Sequence, residues 1–279
     1  MELDVVVPTL RTGTVQRLLR SLSLSTSRPD IVTLVSNEVS LDIETFGLDV
    51  QVARFRSATV PIGHGDLALR RNIGIWASAG RNIVVLDDDL VAAAELVAVS
   101  RELLRMLRYF WGHHRYLSFA DHPVEELVAL PPDRGRPREQ PPNSWHLWMS
   151  CYGGMFGAPA DLVRDLGGFD LVFSCRQANE DQQLGKRIAR HVDGTDRVFV
   201  YEPPFAWHPT EPEPWGPPAF SNVCPSDHET VDGTVGRVPV QRCKRCPWLR
   251  ITDETCLFDD SVHWPYNPAE IEVQIVELR

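Results

Sequence analysis

The chain of 279 residues is 43% hydrophobic and 24% charged, which is typical of a globular protein with a sizeable core. Its formal net charge of −10 argues against nucleic acid or an anionic membrane as the main partner, because both bind basic surfaces. The sequence has no run of about 18 uncharged apolar residues, so it predicts no transmembrane segment. The start carries Glu2 and Asp4 instead of a basic region before an apolar run, so we expect no signal peptide and a cytoplasmic location.

The first half of the chain alternates short apolar runs, typical of buried strands, with stretches of helical spacing. The predicted strands cover residues 3–7, 31–35, 50–55 and 82–86, and the predicted helices cover residues 14–22, 66–79 and 90–109. Farther along, we expect strands at 116–119, near 145 and at 198–201, and helices at 159–166 and from 180 onward. This alternation predicts an α/β fold with a mostly parallel central sheet flanked by helices.

Three adjacent aspartates, Asp87, Asp88 and Asp89, follow the fourth predicted strand. One aspartate there would serve as a helix cap, but three close carboxylates repel one another unless a cation offsets their charge. They lie at the carboxyl end of a strand, where open α/β sheets bind their ligands. Because Mg²⁺ binds one or two carboxylates together with substrate phosphates, the triplet predicts a divalent cation that carries a phosphorylated ligand.

Four segments follow one another in a recognisable order: DVVVPTL at 4–10, RRNIGIWASAGRNIVVLDDDL at 70–90, GGMFGAPADLVRDLGGFD at 153–170 and NEDQQLGKRI at 179–188. Together they resemble the motifs of family 2 glycosyltransferases with the GT-A fold, over residues 3–208. The most specific parts are the Arg-Asn-x-Gly helix before the acidic triplet, and Gly-Gly-Phe-Asp followed by Glu-Asp. The resemblance implies an inverting transferase of hexosyl or N-acetylhexosaminyl groups. It also implies a nucleotide-diphosphate sugar as donor, UDP-sugar first, with Mn²⁺ or Mg²⁺ as cofactor.

The resemblance also implies which residues bind the nucleotide. Those expected at the base and ribose are Pro8, Thr9, Arg11 and Asn37. Asn37 is a departure, because many relatives carry an aspartate in that loop. Arg71 is expected to be the basic residue near the nucleotide, although the adjacent Arg70 is a competitor for that place.

The acidic triplet matches the Asp-x-Asp pattern of the family that the chain resembles. Asp87 would then serve the ribose side of the donor and Asp89 the metal, while Asp88 fills the variable position. His208 stands in a proline-rich stretch, which predicts a rigid turn. It falls where such relatives often supply a histidine to the metal, so the resemblance implies Asp89 and His208 as metal ligands.

Glu180 and Asp181 open a predicted helix, where acidic residues are also favoured by the helix dipole alone. An inverting transfer needs a carboxylate opposite the leaving diphosphate, to take a proton from the acceptor. The triplet is committed to the donor side. In the family that the chain resembles, the aspartate of Glu-Asp is the base, so Asp181 is the expected base and Glu180 would hydrogen-bond an acceptor group or orient the pocket.

The middle of the chain is expected to serve the acceptor. Residues 123–144 form a proline- and arginine-rich stretch, which is typical either of a binding loop or of surface disorder. Trp145 and Trp148 offer flat apolar surfaces for a sugar, with core packing as the alternative. Gly153 and Gly154 allow close backbone approach. The suggested acceptor is a small natural product or a precursor tethered to a carrier protein, with a lipid or a glycan as competitor.

The last 70 residues are rich in metal-ligand types: Cys224, His228, Cys243, Cys246 and Cys256. They allow a structural zinc site, reduced thiols in a loop-rich segment, or a redox role. Six cysteines without an export signal do not suggest a disulfide framework. The predicted organisation is a GT-A domain at 1–210, with a nucleotide-sugar half at 1–115 and an acceptor half at 116–210, followed by a loop-rich extension at 211–279.

Two other functions remain open from the sequence. A sugar nucleotidyltransferase shares the sheet and the metal chemistry, but it opens with a glycine-rich phosphate loop, and the stretch after the first strand holds only Gly13. A non-catalytic module that binds sugar nucleotides or carbohydrates would keep the pocket without needing a base.

Overall fold

The computed structural model describes residues 1–9, 12–37, 41–57, 67–80, 82–119, 122–131, 144–147, 151, 154–171, 180–209, 228–235, 238–243, 250–251, 256–257 and 265–278. The helices in these ranges are α1 (Thr12–Ser23), α2 (Leu67–Ala77), α3 (Leu96–Met106), α4 (Val124–Val128), α5 (Ala160–Asp165) and α6 (Glu180–Asp193). The strands are β1 (Asp4–Pro8), β2 (Val32–Ser36), β3 (Val50–Ser57), β4 (Asn82–Leu86), β5 (Val91–Ala92), β6 (Phe110–Leu117), β7 (Ser144–Leu147), β8 (Met155–Pro159), β9 (Arg197–Pro209), β10 (His228–Val235), β11 (Val238–Cys243), β12 (Arg250–Ile251), β13 (Cys256–Leu257) and β14 (Ile271–Leu278). No helix in these ranges is long and apolar enough to cross a membrane.

One large sheet organises the described part of the chain, in the order β14-β3-β2-β1-β4-β8-β6-β9-β5, with β7 paired to β9. The neighbours β3, β2, β1 and β4 are parallel, as the first half of the sequence predicts. β6 and β9 are also parallel, while β8 lies antiparallel between β4 and β6. The predicted α/β fold, with parallel strands at the centre and helices on its faces, is confirmed.

Strand β1 shows why the sheet is covered on both faces. All five of its residues are buried, and successive side chains of a strand point to opposite faces. Val5 and Val7 pack with apolar residues of α1 and α3, such as Leu18 and Leu96. Val6 belongs to the core on the other face, with residues of α2, α5 and α6. A continuous apolar run therefore marks a strand between two layers of helices.

The predicted helix at 90–109 is wrong at its start and at its end. Residues 91–92 form strand β5, which pairs with β9, and the helix itself is limited to α3. The amide of Ala92 donates to the Ser21 hydroxyl at 2.9 Å, which ties this segment to α1. The strand predicted at 116–119 is β6, which begins earlier, at Phe110, directly after the predicted helix ends. Tertiary pairing overrides the helical pattern of this apolar stretch.

His208 does not lie in a turn, as the prolines around it predicted. It belongs to β9, where it stands opposite Tyr116 in the parallel pairing with β6. Proline is tolerated where its nitrogen is not needed for the ladder, and here Pro209 ends the strand.

The end of the described chain returns to the main sheet. β14 pairs along its whole length with β3, from Ile271 opposite Ser57 to Leu278 opposite Val50. Tyr266 packs edge-on against Trp76, with ring centroids 4.7 Å apart. The prediction of a separate extension at 211–279 is therefore wrong for the segment that ends in β14. The other predicted boundaries stay predictions.

The cysteine-rich segment forms a second, small sheet in the order β10-β11-β12-β13. The backbone of His228 pairs with that of Cys243, and Cys256 lies in β13. Cys224 and Cys246 lie outside the described residues. The zinc hypothesis and the thiol hypothesis both stay predictions.

Gly74 on α2 allows this helix to pack closely on the sheet. A Cβ at this position would overlap Val6 Cγ1 and would come within 2.9 Å of Val35 Cγ2. Both neighbours are fully buried valines, whose β-branched side chains have little freedom to move.

We predict that Gly74→Ala lowers the free energy of unfolding by about 1–3 kcal/mol, because overpacking outweighs the better helix propensity of alanine. The matched control is Gly13→Ala on α1, where a Cβ meets nothing within 4 Å. Urea unfolding followed by circular dichroism measures both. Equal stability changes for the two variants would contradict the packing argument.

Candidate active site

The carboxyl ends of the parallel strands bring the predicted site residues to one edge of the sheet. The acidic triplet follows β4, and the amide of Asp87 donates to the carbonyl of Gly154 at 3.2 Å, which positions it beside β8. Glu180 and Asp181 open α6 from a segment about a hundred residues away in the sequence. Helix α2 packs against β1 and β2 and supplies the residue that joins these two acidic groups.

That residue is Arg71, whose side chain is only 2% exposed. Its Nη1 donates to Glu180 Oε1 at 2.9 Å and to Asp181 Oδ1 at 2.6 Å. Its Nη2 donates to Asp87 Oδ1 at 2.9 Å. One buried guanidinium therefore holds three carboxylates, one from the predicted donor side and two from the predicted catalytic side.

The charges of this cluster do not balance, since three carboxylates surround one guanidinium. Burial raises the pKa of Asp181 to about 8; the Arg71 charge opposes this rise, and the charges of Glu180 and Asp87 add to it. Burial likewise raises the pKa of Glu180. Burial alone would lower the pKa of Arg71, but the three carboxylates raise it. Asp181 therefore holds its proton at higher pH than an ordinary aspartate.

Apolar and aromatic side chains explain why burial has so large an effect here. A small pocket beside Arg71 and Asp181 is lined by Trp111, Phe156 and Phe169, together with Val85, Gly154 and Met155. The Arg71 guanidinium carbon lies 5.2 Å from the centroid of the Phe169 ring. Such surroundings lower the local dielectric and strengthen each charge interaction.

Asn72 places Phe169 in this position. Its Nδ2 donates to the Phe169 carbonyl, and the Phe169 amide donates to its Oδ1, both at 2.7 Å. Gly168 has a φ of +74°, and a Cβ there would overlap the Asn72 side chain, so only glycine fits. The Arg-Asn and Gly-Gly-Phe segments are thus joined by direct contacts.

Arg70 lies beside Thr9 and Asn37, two of the residues predicted for the base and ribose, whereas Arg71 contacts Asp87. Its Nη1 donates to the Thr9 carbonyl at 2.8 Å, and its Nη2 donates to Asn37 Oδ1 at 2.9 Å. Successive residues of a helix point about 100° apart, so the two arginines reach different parts of the edge. The structure places Arg71 beside Asp87, Glu180 and Asp181, so which of the two arginines serves the nucleotide stays a prediction.

The other residues predicted for the nucleotide are placed as follows. Pro8 ends β1, and Thr9 is 2% exposed, with its amide donating to the Val35 carbonyl. Asn37 follows β2 directly and is exposed. Arg11 lies outside the described residues.

Asp89 and His208 come together, as the predicted metal site requires. Asp89 Oδ2 lies 3.4 Å from His208 Nε2, although the two residues are far apart in the sequence. His208 Nδ1 lies 2.8 Å from the Pro209 carbonyl, so Nδ1 carries the proton of the neutral ring and Nε2 faces Asp89. Burial alone would lower the pKa of His208, but the carboxylate of Asp89 raises it.

The chemistry of this pair fits a divalent cation. A carboxylate oxygen and an imidazole nitrogen are both ligands for such ions, and Mn²⁺ accepts this mixture slightly better than Mg²⁺. Within the described ranges, no group of three or more His, Cys, Asp or Glu side chains is arranged to hold a metal ion. A cation at Asp89 and His208 would therefore take its remaining ligands from phosphate oxygens and water. Asp88, which precedes Asp89 in the chain, is also buried.

His114 on β6 is a site residue that sequence reasoning missed. Its ring lies 5.2 Å from the His208 ring, at an interplanar angle of 34°. A Cβ on Gly154 would lie 2.8 Å from His114 Nδ1 and 3.8 Å from Asp87 Oδ2, and Gly154 has a φ of +108°. His114 and Asp87 therefore lie close to the backbone of Gly154, while the predicted role of Gly154 toward the acceptor stays a prediction. The pairing of β6 with β9 brings His114 beside His208, and no local sequence pattern predicts that pairing.

Of the described residues predicted for the acceptor, Gly154 lies at this edge beside Asp87, and Trp145 lies in a different part of the sheet. Trp145 lies in β7 opposite Phe199, toward the start of β9, whereas His208 lies near the end of the same strand. Trp148 and Gly153 lie outside the described residues. Their acceptor role stays a prediction.

A scan against models of protein families finds no match to the sequence, and a search of curated proteins finds none either. Solved structures do match. The crystal structure of S. aureus TarS 1–349 gives a TM-score of 0.52 at 13% identity, over 75% of this chain and 60% of that one. The same fragment in complex with UDP gives 0.51 at 12% identity, over 76% and 61%. A third structure, of S. aureus TarS, gives 0.51 at 14% identity, over 76% and 37%.

The chain has the GT-A glycosyltransferase fold. This confirms the fold class that the sequence predicts. The chain spans about 60% of the length of the TarS fragment, and at 12–14% identity the likeness concerns the fold alone.

We predict that Arg71→Met lowers the free energy of unfolding by about 3–5 kcal/mol, because it leaves three carboxylates at the site without their buried partner. The control is Arg190→Met, whose ion pair with Asp196 is about half exposed and should be worth less than about 1 kcal/mol. Chemical denaturation at neutral pH measures both. A loss for Arg71→Met as small as for the control would show that the cluster contributes little to stability.

Proposed function

We propose that the chain is an inverting glycosyltransferase, which moves a sugar from a nucleotide-diphosphate sugar to an acceptor hydroxyl or amine. The observation that carries this proposal is the Arg71 cluster. It holds a carboxylate of the triplet and the Glu180–Asp181 pair around one guanidinium, at the ligand edge of a GT-A fold. S. aureus TarS 1–349 was solved with UDP, which supports a UDP-sugar as the first donor to test.

On the donor side, Asn37 would contact the base and Asp87 the ribose. Asp89 and His208 would hold Mn²⁺ or Mg²⁺ together with the two phosphates. A cation bound there would act as a Lewis acid that stabilises the charge on the leaving diphosphate. His114 packs against His208, so its role would be to keep that ring in place.

On the acceptor side, Asp181 would be the general base. The acceptor oxygen or nitrogen forms its bond to the anomeric carbon while the bond from that carbon to the diphosphate oxygen breaks, and the acceptor proton passes to Asp181. Arg71 binds Asp181 Oδ1, so Oδ2 would take the proton. A carboxylate with a pKa of about 8 is a stronger base than an ordinary aspartate, which suits this task.

We predict that Asp181→Asn lowers kcat by a factor of about 10²–10⁴ and leaves the affinity for the donor nucleotide close to that of the unchanged protein. Because the base must be ionised, kcat/KM of the unchanged protein should rise with pH and level off above about 8, the pKa of Asp181. This rise should be absent in Asp181→Asn. Normal turnover in Asp181→Asn together with an inactive Glu180→Gln would assign the base to Glu180 instead.

We predict that Asp89→Ala abolishes the Mn²⁺-dependent binding of UDP and that His208→Ala weakens it, because each removes a ligand of the cation. Isothermal titration calorimetry with and without Mn²⁺ measures this. His191→Ala, at an exposed position of α6, is the control and should bind like the unchanged protein. Full transferase activity in excess EDTA would refute the dependence on a metal.

A non-catalytic module that binds sugar nucleotides is the alternative, since it would use the same donor edge. Such a module would not transfer the sugar to an acceptor. Steady release of free nucleotide when an acceptor is added to the donor complex distinguishes an enzyme from such a module.

A further inference from the structure

Arg70 is held rigidly at the edge of the sheet where β1 and β2 end. Its side chain is 3% exposed, and its guanidinium carbon lies 5.3 Å from the centroid of the Phe55 ring. Nη1 donates to the carbonyls of Thr9 and Val35, at 2.8 Å and 3.4 Å. Two backbone carbonyls and one aromatic ring therefore fix the direction in which Nη2 points.

The fixed guanidinium determines which way the amide of Asn37 is turned. A guanidinium has only donors, so the Asn37 atom that lies 2.9 Å from Nη2 must be the carbonyl oxygen Oδ1. The amide nitrogen Nδ2 then points away from Arg70. None of the described residues accepts a hydrogen bond from it. Asn37 is exposed and follows β2 directly, at the edge where open α/β sheets bind ligands.

We propose that Asn37 meets the nucleotide base as a hydrogen-bond donor to the ring carbonyl that uracil and cytosine share, so that this site makes no use of an imino N–H. The inference rests on the proposed function, which places the nucleotide at this edge. It adds a feature of specificity. Arg70 does not contact the base in this proposal, but it decides whether Asn37 offers the base a donor or an acceptor.

Uracil and cytosine differ in the hydrogen-bonding groups that such a contact would meet. Both carry a carbonyl oxygen on the pyrimidine ring, but the neighbouring ring nitrogen is a donor in uracil and an acceptor in cytosine. An amide N–H satisfies the shared carbonyl of either base, and it cannot accept from the N–H of uracil. This contact therefore gives UDP no advantage over CDP.

The test compares the binding of UDP and of CDP by isothermal titration calorimetry in the presence of Mn²⁺. We expect UDP to bind the unchanged protein no more than about threefold more tightly than CDP. In Asn37→Asp, Arg70 binds one carboxylate oxygen and the other is an acceptor of the same shape in the same place. The preference for UDP should then rise by about tenfold or more, since a hydrogen bond to a charged group is worth at least that factor.

The matched control is Asn82→Asp, the same substitution at the start of β4, the opposite end of the sheet from the triplet, where the Asn82 amide donates to the Glu2 carbonyl. It changes the net charge equally and should leave the ratio of the two affinities unchanged. A preference for UDP above threefold in the unchanged protein overturns the inference, and so does a smaller shift in Asn37→Asp or an equal shift in the control. Absence of binding by both nucleotides overturns the proposed function itself.

Discussion

The site depends on one buried guanidinium. Arg71 lies in α2, and its three carboxylate partners are 16, 109 and 110 residues farther along the chain. Bringing three carboxylates together in apolar surroundings is costly, and removing their common partner would leave that cost uncompensated. The geometry of Asp87 and of the Glu180–Asp181 pair is therefore a consequence of where α2 places Arg71. The donor side and the catalytic side of the proposed site are attached to the same group.

Three consecutive residues of α2 serve three different neighbours, because successive helix positions point about 100° apart. Arg70 reaches the ends of β1 and β2, Arg71 reaches α6, and Asn72 binds the backbone of Phe169. Gly74, one turn farther along, lets the helix lie close to Val6 of the sheet. The Arg-Asn-x-Gly segment is thus a contact surface, and the segments that follow it in the sequence are its partners. The motifs therefore occur together for a physical reason, since each segment lacks its partner without the others.

The parts of the fold that local patterns encode could be predicted from the sequence. Three features were predictable in this way: strand β1 with its apolar residues on both faces, the acidic triplet at the end of β4, and the acidic start of α6. The predictions that were wrong concern features that depend on strand pairing between distant segments. The pairing of β6 with β9 places His208 in a strand and brings His114 beside it, and the pairing of β14 with β3 returns the chain end to the sheet. Likewise, two adjacent arginines are indistinguishable until the rotation of α2 against the sheet is known.

In the Arg71 cluster, the protonation state that favours folding differs from the one that the proposed reaction needs. Its burial raises the folded-state pKa of Asp181 to about 8, well above the ordinary value of an aspartate in an unfolded chain. Between these two values the folded protein holds a proton that the unfolded chain has lost, so the contribution of Asp181 to stability falls as the pH rises through this range. A base acts only once that proton is gone, so the ionised state that the proposed reaction needs is the one that the fold supports least. Arg71 limits this conflict, because its charge opposes the rise in the pKa of Asp181 while it holds the carboxylate in place.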